Sequence, residues 1–121
     1  MKTNTRFILL TCLLLCFYAC DRKPYPQSLI IADSLASIQP DSAIALLKTL
    51  EDNIKTESES TQMYYRLLCI KANDKAYIRH TSDSLILLVL HYYIEKRDER
   101  HLPEAYYYAG RVYRDLEDAP Q

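Results

Sequence analysis

A single glycine, Gly110, serves all 121 residues. Sheets joined by tight turns draw on glycine for their left-handed turn positions. No stretch of the chain alternates apolar and polar residues with the period of a strand. Turn chemistry and patterning therefore both argue against a sheet, and the chain must fold from helices. Gly110 itself lies in no turn. It sits in Ala105–Leu116, a segment with helical spacing, beside Tyr106, Tyr107, Tyr108 and Tyr113. A glycine inside a helix costs about 1 kcal/mol relative to alanine, so a close helix contact is expected to offset it.

The chain opens with Lys2 and Arg6, followed by an almost unbroken apolar run from Phe7 to Ala19. That run is shorter than the roughly 20 residues a membrane-spanning helix needs. A positive start, a short apolar core and a small residue before the break describe an export signal over 1–19. Phe17-Tyr18-Ala19-Cys20 resembles the lipobox of bacterial lipoproteins, whose cysteine becomes acylated. The resemblance implies a lipidated Cys20 and an anchor in the bacterial cell envelope, with inner or outer membrane left open. Cysteine usage agrees: Cys12 and Cys16 leave with the signal, and Cys69 remains alone among Leu67, Leu68 and Ile70. No disulfide framework is then available, and Cys69 reads as a buried, inert thiol. Without Lys2 and Arg6 the chain carries 13 basic and 16 acidic residues. It has no basic stripe, so nucleic acid is not an expected partner.

After the signal, residues 20–27 read as the lipidated cysteine and a proline-containing tether, and 28–121 as a helical domain. Helical spacing predicts five helices. The first covers about 28–38, with Ile31, Leu35 and Ile38 inward. The second covers about 42–53, capped by Asp41, with Ala43, Leu46, Leu47 and Leu50 inward. The third covers about 59–78, opened by a Thr56/Glu59 capping box, with Tyr65, Leu68, Cys69, Ala72 and Ala76 inward. The fourth covers about 83–96, capped by Thr81 or Ser82, with Leu85, Leu88, Val89 and Tyr92 inward. The fifth runs from Pro103 to about Leu116, with Ala105, Ala109, Val112, Tyr113 and Leu116 inward. Short connections make neighbouring helices antiparallel.

The pattern repeats. Asp41-Ser42-Ala43-Ile44-Ala45-Leu46-Leu47 matches Asp83-Ser84-Leu85-Ile86-Leu87-Leu88-Val89, and Tyr65-x2-Leu68 matches Tyr106-x2-Ala109. A near-constant period of this size is the mark of stacked helical hairpins. Tyr106, Ala109, Gly110 and Tyr113, echoed by Tyr65 and Leu68, resemble the first helix of a tetratricopeptide (TPR) repeat. The resemblance implies an all-α solenoid of antiparallel hairpins, about two and a half repeats long. It also implies that these six residues pack between repeats and that a groove lined by the first helix of each pair takes a protein or peptide. By spacing, the candidate groove residues are Arg66, Ile70 and Asn73 in one repeat and Tyr107, Arg111 and Arg114 in the next. Arginines beside a tyrosine suit a carboxylate.

His80, His91 and His101 fall in no metal-ligand spacing, the Asp-Ser pairs read as caps, and one glycine makes no phosphate loop. No enzyme activity, cofactor or metal is expected. The expected role is a membrane-anchored interaction module outside the cytoplasm. The alternatives are a sensory ectodomain of a longer signalling protein, or accessory repeats of an enzyme whose catalytic domain lies past residue 121. Asp118 and Pro120 suit the start of a sixth helix. The domain is therefore expected to be incomplete at its C-terminus, and 21–121 alone to be marginally stable or to self-associate.

Overall fold

The computed structural model describes residues 25–118. The described residues are all-helical and contain no strand: α1 (Gln27–Ile38), α2 (Pro40–Ile54), α3 (Glu59–Lys75), α4 (Ser84–Glu95) and α5 (Leu102–Glu117). None of these helices is long and apolar enough to cross a membrane. The export signal, Cys20, the start of the tether and the sixth helix lie outside the described residues.

Local chemistry sets the boundaries. Pro40 holds the preceding Gln39 out of the helical region, at φ −138°, and itself opens α2. Gln39 thus stands where Asp41 was expected to cap, and Asp41 falls in the first turn. The cap of α3 is Ser58 rather than Thr56: Ser58 Oγ accepts from the Thr61 N–H at 3.3 Å, while Thr56 donates to the Asn53 carbonyl. Before α4, Ser82 Oγ accepts from the Ser84 N–H at 3.2 Å.

Two helix ends solve a problem that a chain with one glycine faces. Tyr77 and Arg97 both take left-handed backbone, at φ 60° and 52°. The amide three residues past each helix then reaches back across the last turn, Ile78 to the Asn73 carbonyl and Asp98 to the Tyr93 carbonyl. This is the Schellman closure, normally made with glycine. A side chain in left-handed backbone is strained by about 1–2 kcal/mol. Tyr77 is 95% exposed and loses no packing on truncation, so Tyr77→Gly should stabilise the protein by about 1 kcal/mol. A lower melting temperature for that variant would contradict this.

Packing centres on α3. It touches α1 and α2 on one side and α4 and α5 on the other, and α1, α3 and α5 lie side by side. Its neighbouring leucines divide the work. Leu68, with Tyr64 and Ala72, packs against Leu29 and Ala32 of α1 and Leu47 of α2. Leu67, with Met63 and Ile70, packs against Ile86, Val89 and Tyr93 of α4 and Tyr108 and Val112 of α5. An aromatic column joins the two cores. Tyr25 stacks on Tyr64 with ring centroids 4.4 Å apart, Tyr64 meets His101 at 5.4 Å, and His101 stacks on Tyr93 at 5.1 Å. Tyr25, assigned to the tether from sequence, is therefore part of the fold.

Several inward faces differ from expectation. α1 buries Leu29, Ala32 and Ala36, and leaves Ile31 and Ile38 largely in water. α4 buries Ile86, Val89 and Tyr93, while Leu85 and Leu88 are exposed. Among the expected packing residues, Leu68 and Ala109 are buried and Tyr65 is half-buried, its hydroxyl donating to the Leu47 carbonyl at 2.9 Å. Tyr106 and Tyr113 are exposed. A Cβ added to Gly110 would meet nothing within 4 Å. The close helix contact expected at Gly110 is thus absent from the described fold. Tyr108, two residues before it, fills the core instead.

Candidate functional site

Where α1, α3 and α5 run side by side, charged residues stitch them together. Lys71 of α3 lies 2.7 Å from Asp33 of α1 and 3.0 Å from Glu104 of α5. Tyr64 donates its hydroxyl proton to the other Asp33 oxygen at 2.5 Å. Burial alone would raise the Asp33 pKa, but the bonds from Lys71 and Tyr64 outweigh it and hold the carboxyl below its usual value. For Lys71 the balance runs the other way: burial favours the neutral amine, and the two carboxylates overcome it and raise the pKa. Lys71 is a fully engaged cation, so it ties helices together and is not offered to a ligand.

One turn further along, Asp74 of α3 receives Arg111 of α5. Arg111 Nε lies 3.2 Å and 3.4 Å from the two Asp74 oxygens, and His80 Nε2 lies 3.2 Å from one of them. Asp115 accepts the His80 backbone N–H at 2.9 Å. That bond, with the charges of His80, Arg111 and Arg79 nearby, holds the Asp115 carboxyl low. Asp74, His80 and Asp115 bring one ligand atom each within 4.8 Å of one another. The Arg111 guanidinium already claims both Asp74 oxygens, and its positive charge opposes a cation there. The cluster fastens the segment after α3 to α5. Its members come from three separate segments, so no spacing in the sequence signals it. Beside it lies a cavity of about 280 Å³ whose lining includes Asn73, Ile78, Arg79, His80, Thr81 and Leu85.

The six candidate groove residues do not share one face. Tyr107 and Arg114 of α5 are exposed, and Arg111 between them is partly exposed. Tyr107 stands edge-on to Tyr108 at 5.0 Å. Ile70 is buried against α4 and cannot meet a ligand. Arg66 leans on Met63, and Asn73 is half-buried at the cavity rim. The reason is a one-residue phase error. Tyr64 and Lys71 link α3 back to α1, and Glu104 and Arg111 link α5 back to α3, each pair 40 residues from its counterpart. Buried Leu68 and Ala72 correspond at the same offset to buried Tyr108 and Val112. An offset of 41 turns the second helix by about 100° relative to the first. The α3 counterparts of Tyr107, Arg111 and Arg114 are therefore Leu67, Lys71 and Asp74.

Cys69 is half-buried, and burial pushes its thiol up to about 11. The thiolate is the reactive form, so the inert reading from sequence agrees with its surroundings. His101 accompanies Asp98 at 2.8 Å, and Asp98 also accepts the backbone N–H groups of Arg100 and His101. These contacts outweigh burial and lower the Asp98 pKa. Both groups secure the turn into α5.

Comparison of the chain with protein-family models, with curated proteins and with solved structures finds no match.

Proposed function

We propose that this protein is a lipid-anchored module of stacked helical hairpins that binds an acidic protein segment along the row formed by α1, α3 and α5. The observation that carries the proposal is the position of α3, held between a hairpin before it and a hairpin after it, with alternate helices adjacent. In a TPR-like stack the first helices of successive pairs line one surface in this way. At the end of that row α5 leaves Tyr107 and Arg114 exposed, at the places where α3 meets its neighbour with Leu67 and Asp74, and Arg114 makes no ion pair among the described residues. A planar cation beside an exposed aromatic ring suits a carboxylate carried on an extended or helical peptide. The membrane anchor follows from the Cys20 lipobox and would hold this surface at the envelope.

The test uses a fluorescent peptide rich in Glu and Asp and a neutral peptide of equal length, titrated into residues 21–121. That segment contains every residue of both cores. The acidic peptide should bind at roughly micromolar strength and weaken as salt rises. Arg114→Glu and Tyr107→Ala, both at exposed positions, should each weaken it about tenfold with little change in melting temperature. Equal affinity for the two peptides, or for the variants and the parent, would refute the proposal.

A further inference from the structure

Tyr25 belongs to the fold, and this shortens the tether. Its ring stacks on Tyr64 at 4.4 Å and meets His101 edge-on at 5.7 Å, and its hydroxyl lies 3.4 Å from the Ser60 hydroxyl. Only residues 21–24 separate it from Cys20. That length of chain, fully extended, reaches at most about 17 Å. Crossing the headgroup layer of one leaflet takes up roughly 6 Å of it. With Cys20 lipidated, Tyr25 therefore stays within about 11 Å of the membrane surface.

α1, α3 and α5 run parallel, so the fold has two distinct ends. Tyr64 meets His101, Lys71 meets Glu104 and Asp74 meets Arg111, in the same order along α3 and α5. At the end that holds Tyr25 lie the start of α3 and the turn from α4 into α5, where Lys96, Arg97, Glu99 and Arg100 are exposed. Lys75, the exposed last residue of α3, lies about 16 Å further along the helix than Tyr64.

We infer that the α4–α5 turn faces the lipid headgroups, and that the end carrying Lys75 and the Asp74–His80–Asp115 cluster is the one further from the membrane. The inference rests on the proposed lipidation of Cys20 and concerns which end of the fold that anchor holds down. Reach, not charge, brings the turn to the lipid. Lys96, Arg97 and Arg100 are offset by Glu95 and Glu99 beside them, and Asp98 is engaged with His101. The headgroup charge should therefore matter little. The row of α1, α3 and α5 then leads outward from the membrane, with Tyr107 nearer to it than Arg114.

The chain acylated at Cys20 and held in phospholipid vesicles tests this, with Cys69→Ala removing the internal thiol. A fluorophore is attached at Arg100→Cys or at Lys75→Cys, both exposed positions. A nitroxide carried on the phospholipid headgroup quenches it only at short range. Quenching should be severalfold stronger at position 100 than at 75, in neutral and anionic vesicles alike. A Gly/Ser insertion of about 30 residues before Pro24 spans roughly 30 Å and should remove the difference. Vesicle-bound protein quenched equally at the two positions, or more strongly at 75, overturns the inference, as does a difference confined to anionic vesicles. A difference that survives the insertion overturns the short tether as its cause. Protein that does not stay with the vesicles overturns the lipid anchor itself, and this inference with it.

Discussion

Leu67→Ala and Leu68→Ala should each destabilise the protein by about 2–5 kcal/mol, though the two leucines are neighbours and face different cores. Leu67 is fully buried and Leu68 almost fully. Each side chain loses its transfer free energy and leaves a cavity that rigid helices on either side close only in part. Leu67 belongs to the core of α3, α4 and α5, and Leu68 to that of α1, α2 and α3. Because α3 is common to both, neither core should survive without the other. Denaturant unfolding followed by far-ultraviolet circular dichroism should show one transition, moved in the same direction by each substitution. Two separable transitions, one sensitive only to Leu67 and the other only to Leu68, would mean that the halves fold independently.

Tyr93 gives the second large effect, with an internal control. Its side chain is completely buried and stacked on His101, and its hydroxyl has no hydrogen-bond partner among the described residues. Burial pushes its pKa upward, with nearby Tyr25 and Asp98 adding to the shift, so the ring stays neutral. Tyr93→Ala should cost about 3–5 kcal/mol through loss of the ring. Tyr93→Phe keeps the ring and removes an oxygen that burial strips of water, and should be neutral or stabilise by about 1 kcal/mol. Thermal melting of the two variants separates the contributions. A Phe variant nearly as damaged as the Ala variant would mean that the hydroxyl is satisfied in solution.

The sequence was most informative where periodicity and proline agree. All five helices fall close to their expected bounds, because Pro40 and Pro103 mark starts that few other residues mark so strongly. It was least informative about which stripe faces inward. In α4 almost every position is apolar, so spacing cannot choose between Leu88 and Val89. Tertiary contact makes that choice. In α3 the difficulty is different. The helix is enclosed by four others and buries residues around much of its circumference, so no single stripe describes it. That ambiguity allowed the repeat to be aligned one residue out of phase, which put Ile70 on a ligand face; the packed contact expected at Gly110 came instead from the cost of a glycine in a helix, and a Cβ there meets nothing within 4 Å. The Asp33–Lys71–Glu104 bridge and the Asp74–His80–Asp115 cluster were not legible, because each joins residues from three different segments.

The central claim is that α3 is shared by a hairpin on each side, which is the condition for a row of alternate helices to form a surface. Methyl NOE spectroscopy of residues 21–121, with leucine, valine and alanine methyls labelled, tests it most directly. The account predicts cross-peaks from Leu68 to Leu29, Ala32 and Leu47, and from Leu67 to Val89 and Val112, with the two sets distinct. Cross-peaks from Leu67 and Leu68 to one common set of methyls, or the absence of either set, would contradict it.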